Sequence, residues 1–230
     1  MIKLGVVLPS FMYNDVRRSL ATAAFRSLAR TEGYWEQKAK LLLLVKHGHE
    51  NEYPDIVNSL AAGFDVVLKT DEGLNGTEQT LAFGTQWLLD NTDVDYVTWM
   101  GDDALFHRMW LFHLAGLIHR HPTAKSWSVY RSAYEWIHKS LSSIEYDVMV
   151  RSICGHGMTF TRQEWTEWGI KFGQGSWEAP DGDTLDLLHV YQRPGERWVT
   201  RVSFVQHTGK SGVHCSPDTP EYARDFQGEG

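Results

Sequence analysis

Two adjacent carboxylates, Asp102 and Asp103, follow the hydrophobic run Tyr96-Val97-Thr98-Trp99-Met100 and a single glycine. Such dense apolar residues indicate a buried strand, and two acids at its end are costly unless something compensates their charge. Carboxylate oxygens are the ligands that Mg²⁺ or Mn²⁺ prefers. Because open α/β sheets bind ligands at the carboxyl ends of their strands, a metal-bound phosphate group is expected here. The alternative is a strand-to-helix turn in which one acid is a helix N-cap.

The chain around this pair alternates between short apolar runs and amphipathic stretches, which predicts the order β-α-β-α-β-α-β. The predicted strands are 3–8, 41–45, 65–68 and 95–100, and the predicted helices are 14–30, 56–62, 77–89 and 105–119. This alternation is typical of an α/β fold with a mainly parallel sheet and right-handed crossovers. The second half is less regular, with strands predicted at 126–130, 154–160 and 198–206 and a loop-rich stretch at 172–182.

Composition indicates a globular protein of 230 residues, with 42% hydrophobic and 22% charged residues. The net charge of −7 argues against non-specific nucleic-acid binding as the main task. The two cysteines, Cys154 and Cys215, form neither a disulfide framework nor a zinc cluster, which fits a reducing cytoplasm. The first nine residues indicate a strand rather than a signal peptide. No apolar run reaches membrane-spanning length, so a cytoplasmic protein without a transmembrane segment is expected.

Four features occur in a defined order along residues 1–190. Pro9-Ser10-Phe11 ends the first strand, Gly84 follows Gly76 by eight residues, and Asp102-Asp103 ends the fourth strand. A glycine-rich stretch, 155–162, then precedes Asp181-Gly182-Asp183-Thr184-Leu185-Asp186-Leu187. Together they resemble a glycosyltransferase of the GT-A fold, most similar to the family 2 type. The resemblance implies one Rossmann-type domain, with a nucleotide-sugar-binding half at 1–104 and a loop-rich acceptor-side half at 105–216. The polar stretch 217–230 is expected to be a flexible tail.

The sequence departs from that family at three places. The family has an acidic residue after strand two that helps to bind the base or ribose, whereas Lys46-His47 stand here. Ala82 occupies the position of a common asparagine. Gly101 stands at the first position of the Asp-x-Asp motif, so Asp102 takes the ribose or metal-water role by default.

The resemblance implies a nucleotide-diphosphate sugar, most readily a UDP-sugar, and a divalent Mn²⁺ or Mg²⁺ bound by Asp103 with help from Asp102. Residues expected to contact this sugar donor also include Pro9, Ser10, Phe11 and Gly76. Asp183 is the candidate base for the acceptor hydroxyl, with Asp181 as the competing candidate. A base on the face opposite the leaving group implies inversion. Both acids could instead cap a helix over 184–190.

The C-terminal stretch adds candidate ligands. His207 ends the last predicted strand, and the resemblance implies that such a histidine can bind the metal or the diphosphate; His214 is a second candidate. Lys210, between Gly209 and Gly212, could bind phosphate together with backbone N–H groups. The acceptor could be a glycan, a lipid-linked sugar, a protein or a modified nucleic acid, and the sequence indicates no oligomeric state.

Other phosphate-handling enzymes fit the first strand less well. The Pro9-Ser10-Phe11 turn is neither the basic glycine-rich loop of a sugar nucleotidyltransferase nor the Gly-x-Gly-x-x-Gly of a dehydrogenase. It also lacks the nucleophilic aspartate of a haloacid-dehalogenase-type phosphatase. The remaining alternative is a catalytically silent module that binds a sugar nucleotide or a glycan.

Overall fold

A computed structural model describes residues 2–33, 38–71, 73–74, 76–132, 140–150, 153, 157–173, 195–208, 223 and 225–226. The strands are β1 (Leu4–Ser10), β2 (Ala39–Val45), β3 (Phe64–Thr70), β4 (Tyr96–Trp99), β5 (Ala104–Phe106), β6 (Ser126–Ser128), β7 (Ser140–Ser143), β8 (Asp147–Val150), β9 (Thr159–Thr161), β10 (Arg197–Thr200) and β11 (Val205–His207). The helices are α1 (Asp15–Leu28), α2 (Pro54–Leu60), α3 (Gly76–Asn91), α4 (Trp110–Arg120) and α5 (Arg162–Gly173).

Within the described residues, nine strands form one sheet in the order β3-β2-β1-β4-β9-β6-β10-β8-β7. Strands β3, β2, β1 and β4 are parallel neighbours, and β6 pairs in parallel with β10. Only β9 and β8 run against the others, because each pairs antiparallel with both of its neighbours. The predicted α/β fold with a mainly parallel sheet is therefore confirmed.

Helices cover both faces of the parallel part of the sheet. Alternate residues of β1 face opposite sides, so Val6 packs in a cluster that contains Phe25 of α1, whereas Val7 packs with Leu88 of α3. Helix α3 approaches the sheet closely at Gly84, where an added Cβ would lie 2.5 Å from the Val7 side chain. The second glycine of the sequence motif is thus a packing residue beneath the strand ends.

The prediction of a helix from Leu105 is wrong at its start. Residues Ala104–Phe106 form β5, and α4 begins only at Trp110. The apolar residues of β5 are satisfied by antiparallel pairing with β11, a partner about a hundred residues away in sequence that local periodicity cannot show. The single strand predicted at 198–206 is likewise two strands in two different sheets.

Residues 105–216 also contain two strands that the pattern did not predict. Strand β7 is exposed along its whole length, so its sequence Ser-Leu-Ser-Ser lacks the apolar density of a buried strand. It forms a sheet edge on β8. Among the described helices, none combines the length and the apolar character that crossing a bilayer requires.

Candidate active site

The turn that follows β1 and the turn that follows β4 meet at the carboxyl edge of the sheet. Asp102 is buried, with 2% of its surface exposed, and its Oδ2 accepts hydrogen bonds from Ser10 Oγ at 2.9 Å and from the Phe11 backbone N–H at 3.0 Å. Tyr53 supports this turn, since its hydroxyl donates to Ser10 Oγ at 3.1 Å. The carboxylate therefore fixes the turn that leads into α1.

Arg17 in the first turn of α1 binds both carboxylates at once. Its guanidinium donates to Asp103 Oδ2 at 2.8 Å and to Asp102 Oδ1. The helix start is fixed by Asn14, an N-cap whose side chain accepts the Arg17 backbone N–H at 2.8 Å. The sequence predicts a metal ion as the partner of these carboxylates, whereas in this structure their partner is an arginine.

His207 reaches Asp103 through a two-stranded ladder. Strand β11 pairs with β5 so that His207 lies opposite Ala104, and the backbone N–H and hydroxyl of Thr208 both donate to the Asp103 carbonyl, at 2.7 and 2.8 Å. His207 Nε2 consequently lies 3.4 Å from Asp103 Oδ2, and the imidazole is 4% exposed. The pairing joins two residues that are far apart in sequence.

Burial governs the electrostatics of the pair. Burial, together with the neighbouring Asp103 charge, raises the pKa of Asp102 to about 6, although Arg17 and the two hydrogen bonds from the β1 turn oppose the shift. Burial opposes the positive charge of Arg17, but the two carboxylates outweigh it and raise the arginine's pKa. Arg17 therefore offsets only part of the effect of burial on Asp102.

A second cluster lies at the ends of β1, β2 and β3. Lys46 Nζ donates to Asp71 Oδ2 at 3.0 Å and lies 5.7 Å from the centre of the Phe11 ring. Asp71 is 1% exposed, and its Oδ1 accepts the His47 backbone N–H at 3.3 Å. Asp71, which follows β3, thus lies beside the segment after β2 where family 2 enzymes have an acidic residue and this chain has Lys46-His47.

The structure brings together five of the residues singled out from the sequence, namely Ser10, Phe11, Asp102, Asp103 and His207. Pro9 lies within β1, opposite Leu44 of β2, and Gly76 is the first residue of α3. The alternative of a helix N-cap at Asp102 or Asp103 is wrong, because α4 begins several residues later, after Met109.

The remaining predicted site residues lie outside the described part of the chain: Asp181, Asp183, Lys210, His214 and the first two residues of the stretch 155–162. Arg162, the last residue of that stretch, is described and does not face the carboxylates. Its guanidinium donates to the carbonyls of Leu89, Thr92 and Val94, so it ties α5 to the end of α3.

The arrangement can accept a divalent cation only in part. Among the described residues, no group of three or more His, Cys, Asp or Glu side chains is placed to hold a metal ion. Asp103 Oδ2 and His207 Nε2, at 3.4 Å, have the separation of about 3–4 Å that two ligands of one cation adopt. These two fit a site that takes its other ligands from a phosphate and water.

Arg17 and Asp71 are charged residues of the site that the sequence did not single out. Arg17 lies six residues beyond Phe11 among ordinary surface charges, and only the N-cap at Asn14 shows that it falls in the first helical turn. Asp71 follows an apolar strand directly, as Asp102 and Asp103 nearly do, so the same signal could have found it.

No protein-family model matches the sequence, and no curated protein matches it. The fold is shared with TarS of S. aureus. Residues 1–349 of TarS in complex with UDP-GlcNAc superpose with a TM-score of 0.61 at 12% identity, over 93% of this chain and 60% of that one. The complex of the same fragment with UDP gives 0.60 at 11% identity, over 89% and 60%.

A longer TarS structure gives a TM-score of 0.62 at 11% identity, over 91% of this chain and 37% of that chain. The present chain thus spans about three fifths of the TarS fragment's length. TarS is a glycosyltransferase with the GT-A fold of the family 2 type, so the GT-A fold predicted from the sequence is confirmed.

Proposed function

We propose that this chain is a divalent-metal-dependent glycosyltransferase that moves a sugar from a UDP-sugar to an acceptor hydroxyl, with inversion. The observation that carries the proposal is the meeting of Asp103 with His207 at the carboxyl edge of this sheet, in a fold whose TarS structures hold UDP-GlcNAc and UDP. Ligands of open α/β sheets bind at this edge.

The proposed chemistry separates the leaving group from the acceptor. The bond between the anomeric carbon and the UDP oxygen breaks as the acceptor oxygen forms its own bond to that carbon, and UDP leaves with the bonding electrons. Asp103 and His207 would hold the Mn²⁺ or Mg²⁺, which when bound supplies Lewis-acid stabilisation of the leaving diphosphate. Asp183, or Asp181 in its place, would take the acceptor hydroxyl proton from the opposite face.

The residues around Asp103 support the sugar donor in this proposal. Asp102 keeps the Ser10–Phe11 turn in place through two hydrogen bonds, and the ring of Phe11, with Lys46 close to it, offers a surface for the uracil base. The chain would then divide into a sugar-donor half at 1–104, an acceptor half at 105–216 and a tail at 217–230. Its two cysteines fit action in the cytoplasm.

The proposal is tested by incubating the protein with UDP-GlcNAc, UDP-glucose or UDP-galactose and measuring UDP release, first after chelation and then with Mn²⁺ added. We expect slow release, with water as the acceptor, that requires the metal. For an α-linked sugar donor, inversion predicts that proton NMR detects the β-anomer of the free sugar first. Release that survives chelation would exclude metal dependence, and an α-anomer formed first would exclude inversion.

The acceptor-side assignment is tested with Asp183→Ala and Asp181→Ala. Loss of the base should abolish transfer and leave Mn²⁺-dependent UDP binding unchanged, and only one of the two variants should show this pattern. If both variants turn over normally, neither residue is the base.

The second candidate function is a silent binding module of the same fold. It is favoured by the departures at Lys46 and Ala82, which change positions that family 2 enzymes use. Tight UDP binding with no UDP release, even with a panel of glycan, lipid-linked and protein acceptors, would establish the module and exclude the enzyme.

A further inference from the structure

Arg17 is more exposed to solvent than the two carboxylates and the imidazole beside it. Its side chain is 15% exposed, compared with 2% for Asp102, 11% for Asp103 and 4% for His207. A cation that approaches Asp103 Oδ2 from solvent meets a guanidinium nitrogen already bound there at 2.8 Å. The arginine and a metal ion therefore compete for one oxygen atom.

The charges around Arg17 do not balance once a sugar donor is present. The two carboxylates share the guanidinium of Arg17, and a UDP-sugar brings a doubly charged diphosphate to the same edge. One arginine cannot neutralise the carboxylates and the diphosphate together. A divalent cation on Asp103 would repel the guanidinium at this short range and at the same time bring the diphosphate close to it.

We propose that Arg17 is an exchangeable counter-ion: it closes the Asp102–Asp103 pair when no sugar donor is bound, and it passes to the donor diphosphate when a divalent cation takes Asp103. This inference rests on the proposed function. Bidentate recognition of phosphate suits a guanidinium. The position of Arg17 in the first turn of α1, next to Asn14, adds the positive end of the helix dipole on the same side.

The first half of the proposal is tested without any nucleotide. Mn²⁺ affinity is measured by electron paramagnetic resonance for the wild type, Arg17→Met and the control Arg18→Met. Arg18 is on the same helix turn but pairs with Glu52, and about half of its side chain is exposed. We expect Arg17→Met to bind Mn²⁺ at least about tenfold more tightly and Arg18→Met to match the wild type. Equal affinity in all three proteins would overturn the competition.

The competition can still be tested if Arg17→Met has a folding defect. Because the variant leaves two buried carboxylates without their arginine, Mn²⁺ should raise its melting temperature by more than that of the wild type. The milder Arg17→Lys keeps one charge but cannot bridge both acids, and its Mn²⁺ affinity should fall between the other two. A melting temperature that responds equally in the wild type and Arg17→Met would contradict the proposal.

The second half is tested by calorimetry at saturating Mn²⁺, with UDP and with uridine, which lacks phosphate. Arg17→Met should weaken UDP roughly tenfold and leave uridine unchanged. An equal loss for both ligands, or no loss for UDP, would overturn the transfer of Arg17 to the diphosphate. If the wild type binds no UDP, the proposed function fails, whereas the Mn²⁺ titration still decides whether Arg17 closes the pair.

Discussion

The buried carboxylate of Asp147 and the buried pair Asp102–Asp103 are compensated to different degrees. Asp147 accepts two hydrogen bonds from Arg120, at 2.7 and 2.8 Å, and lies 2.9 Å from His121 Nε2. One carboxylate there has two cationic or hydrogen-bonding partners. At the carboxyl edge of the sheet, Asp102 and Asp103 share one guanidinium, that of Arg17, and His207 Nε2 lies 3.4 Å from Asp103 Oδ2.

This difference separates a structural ion cluster from a ligand site. Around Asp147 the surroundings are fixed as well, since His121 stacks on Trp198 with the ring centres 3.8 Å apart. The hydrogen bonds that Arg120 donates to Asp147 raise the pKa of Arg120. At the sheet edge two carboxylates share one arginine, and burial raises the pKa of Asp102 to about 6. A buried pair of like charges beside one guanidinium is a site to which a cation or a binding partner can add.

The largest expected effect is on turnover at Asp103. Asp103→Asn keeps the shape of the side chain but removes the charge that would bind the metal, so metal-dependent UDP release should fall about a thousandfold, or ~4 kcal/mol in the barrier. Steady-state assays at several Mn²⁺ concentrations measure this loss. A fall of less than tenfold would place the metal elsewhere.

Asp147 should show the opposite profile. Asp147→Ala leaves Arg120 and His121 facing an uncharged methyl group, and we expect the free energy of unfolding to fall by about 3 kcal/mol, a value discounted because Arg120 is partly exposed. Urea denaturation measures the loss, and UDP release per folded molecule should stay unchanged. Loss of turnover without loss of stability would reverse the roles assigned to the two clusters.

Much of the fold over residues 1–104 could be predicted because its signals are local. The runs of β1 and β2 are continuous and apolar, as expected of strands covered on both faces. The acids after β4 stand where a turn must bring them to the sheet edge. Asn14 is a recognisable cap, so the start of α1 followed from sequence alone.

The parts that could not be predicted depend on contacts between distant residues. Leu105 and Phe106 have the composition of a helix start, and only the partner strand β11 makes them a strand. Arg17 likewise reaches both acids only when α1, which follows β1, lies beside the turn that follows β4. The local sequence around an arginine among other charged residues does not predict such a contact, whereas a carboxylate at the end of an apolar run does indicate a site.

Lowering the pH should have opposite effects on stability through His113 and through Asp102. Burial, together with the charges of His107 and Arg120, lowers the pKa of His113 on α4 to about 4. Between pH 6.5 and 4 the unfolded chain binds a proton on this histidine that the folded chain does not, so stability falls as pH falls. Asp102, whose pKa is raised to about 6, binds its proton first in the folded state and therefore has the reverse effect.

His113→Gln should remove the first contribution and leave the second. The loss of unfolding free energy between pH 7 and pH 4.5 should shrink by about 2 kcal/mol, discounted because His113 is partly exposed. Urea titrations at the two pH values measure it, with the exposed His119→Gln of the same helix as the control. An unchanged pH dependence would show that protonation of His113 does not oppose folding.

The smallest effect is expected at Asp71, a third buried carboxylate at the same sheet edge. One lysine and one backbone N–H serve it, and it lies beside the segment after β2 where family 2 enzymes have an acid for the base or ribose. If Asp71 takes over that contact, Asp71→Asn should weaken UDP about fivefold, or ~1 kcal/mol, because a neutral amide replaces a charged acceptor.

Pyrophosphate separates this base contact from a general change of charge. It occupies the diphosphate position without a nucleoside, so its affinity should not change in Asp71→Asn when Mn²⁺ is saturating. Asp65→Asn is the matched control, since Asp65 lies on β3, which Asp71 directly follows, but is largely exposed and pairs with Lys40. An equal loss of affinity for UDP and pyrophosphate would show that Asp71 acts only through its charge at the sheet edge. Asp102 and Asp103 would then be the carboxylates that identify the ligand site.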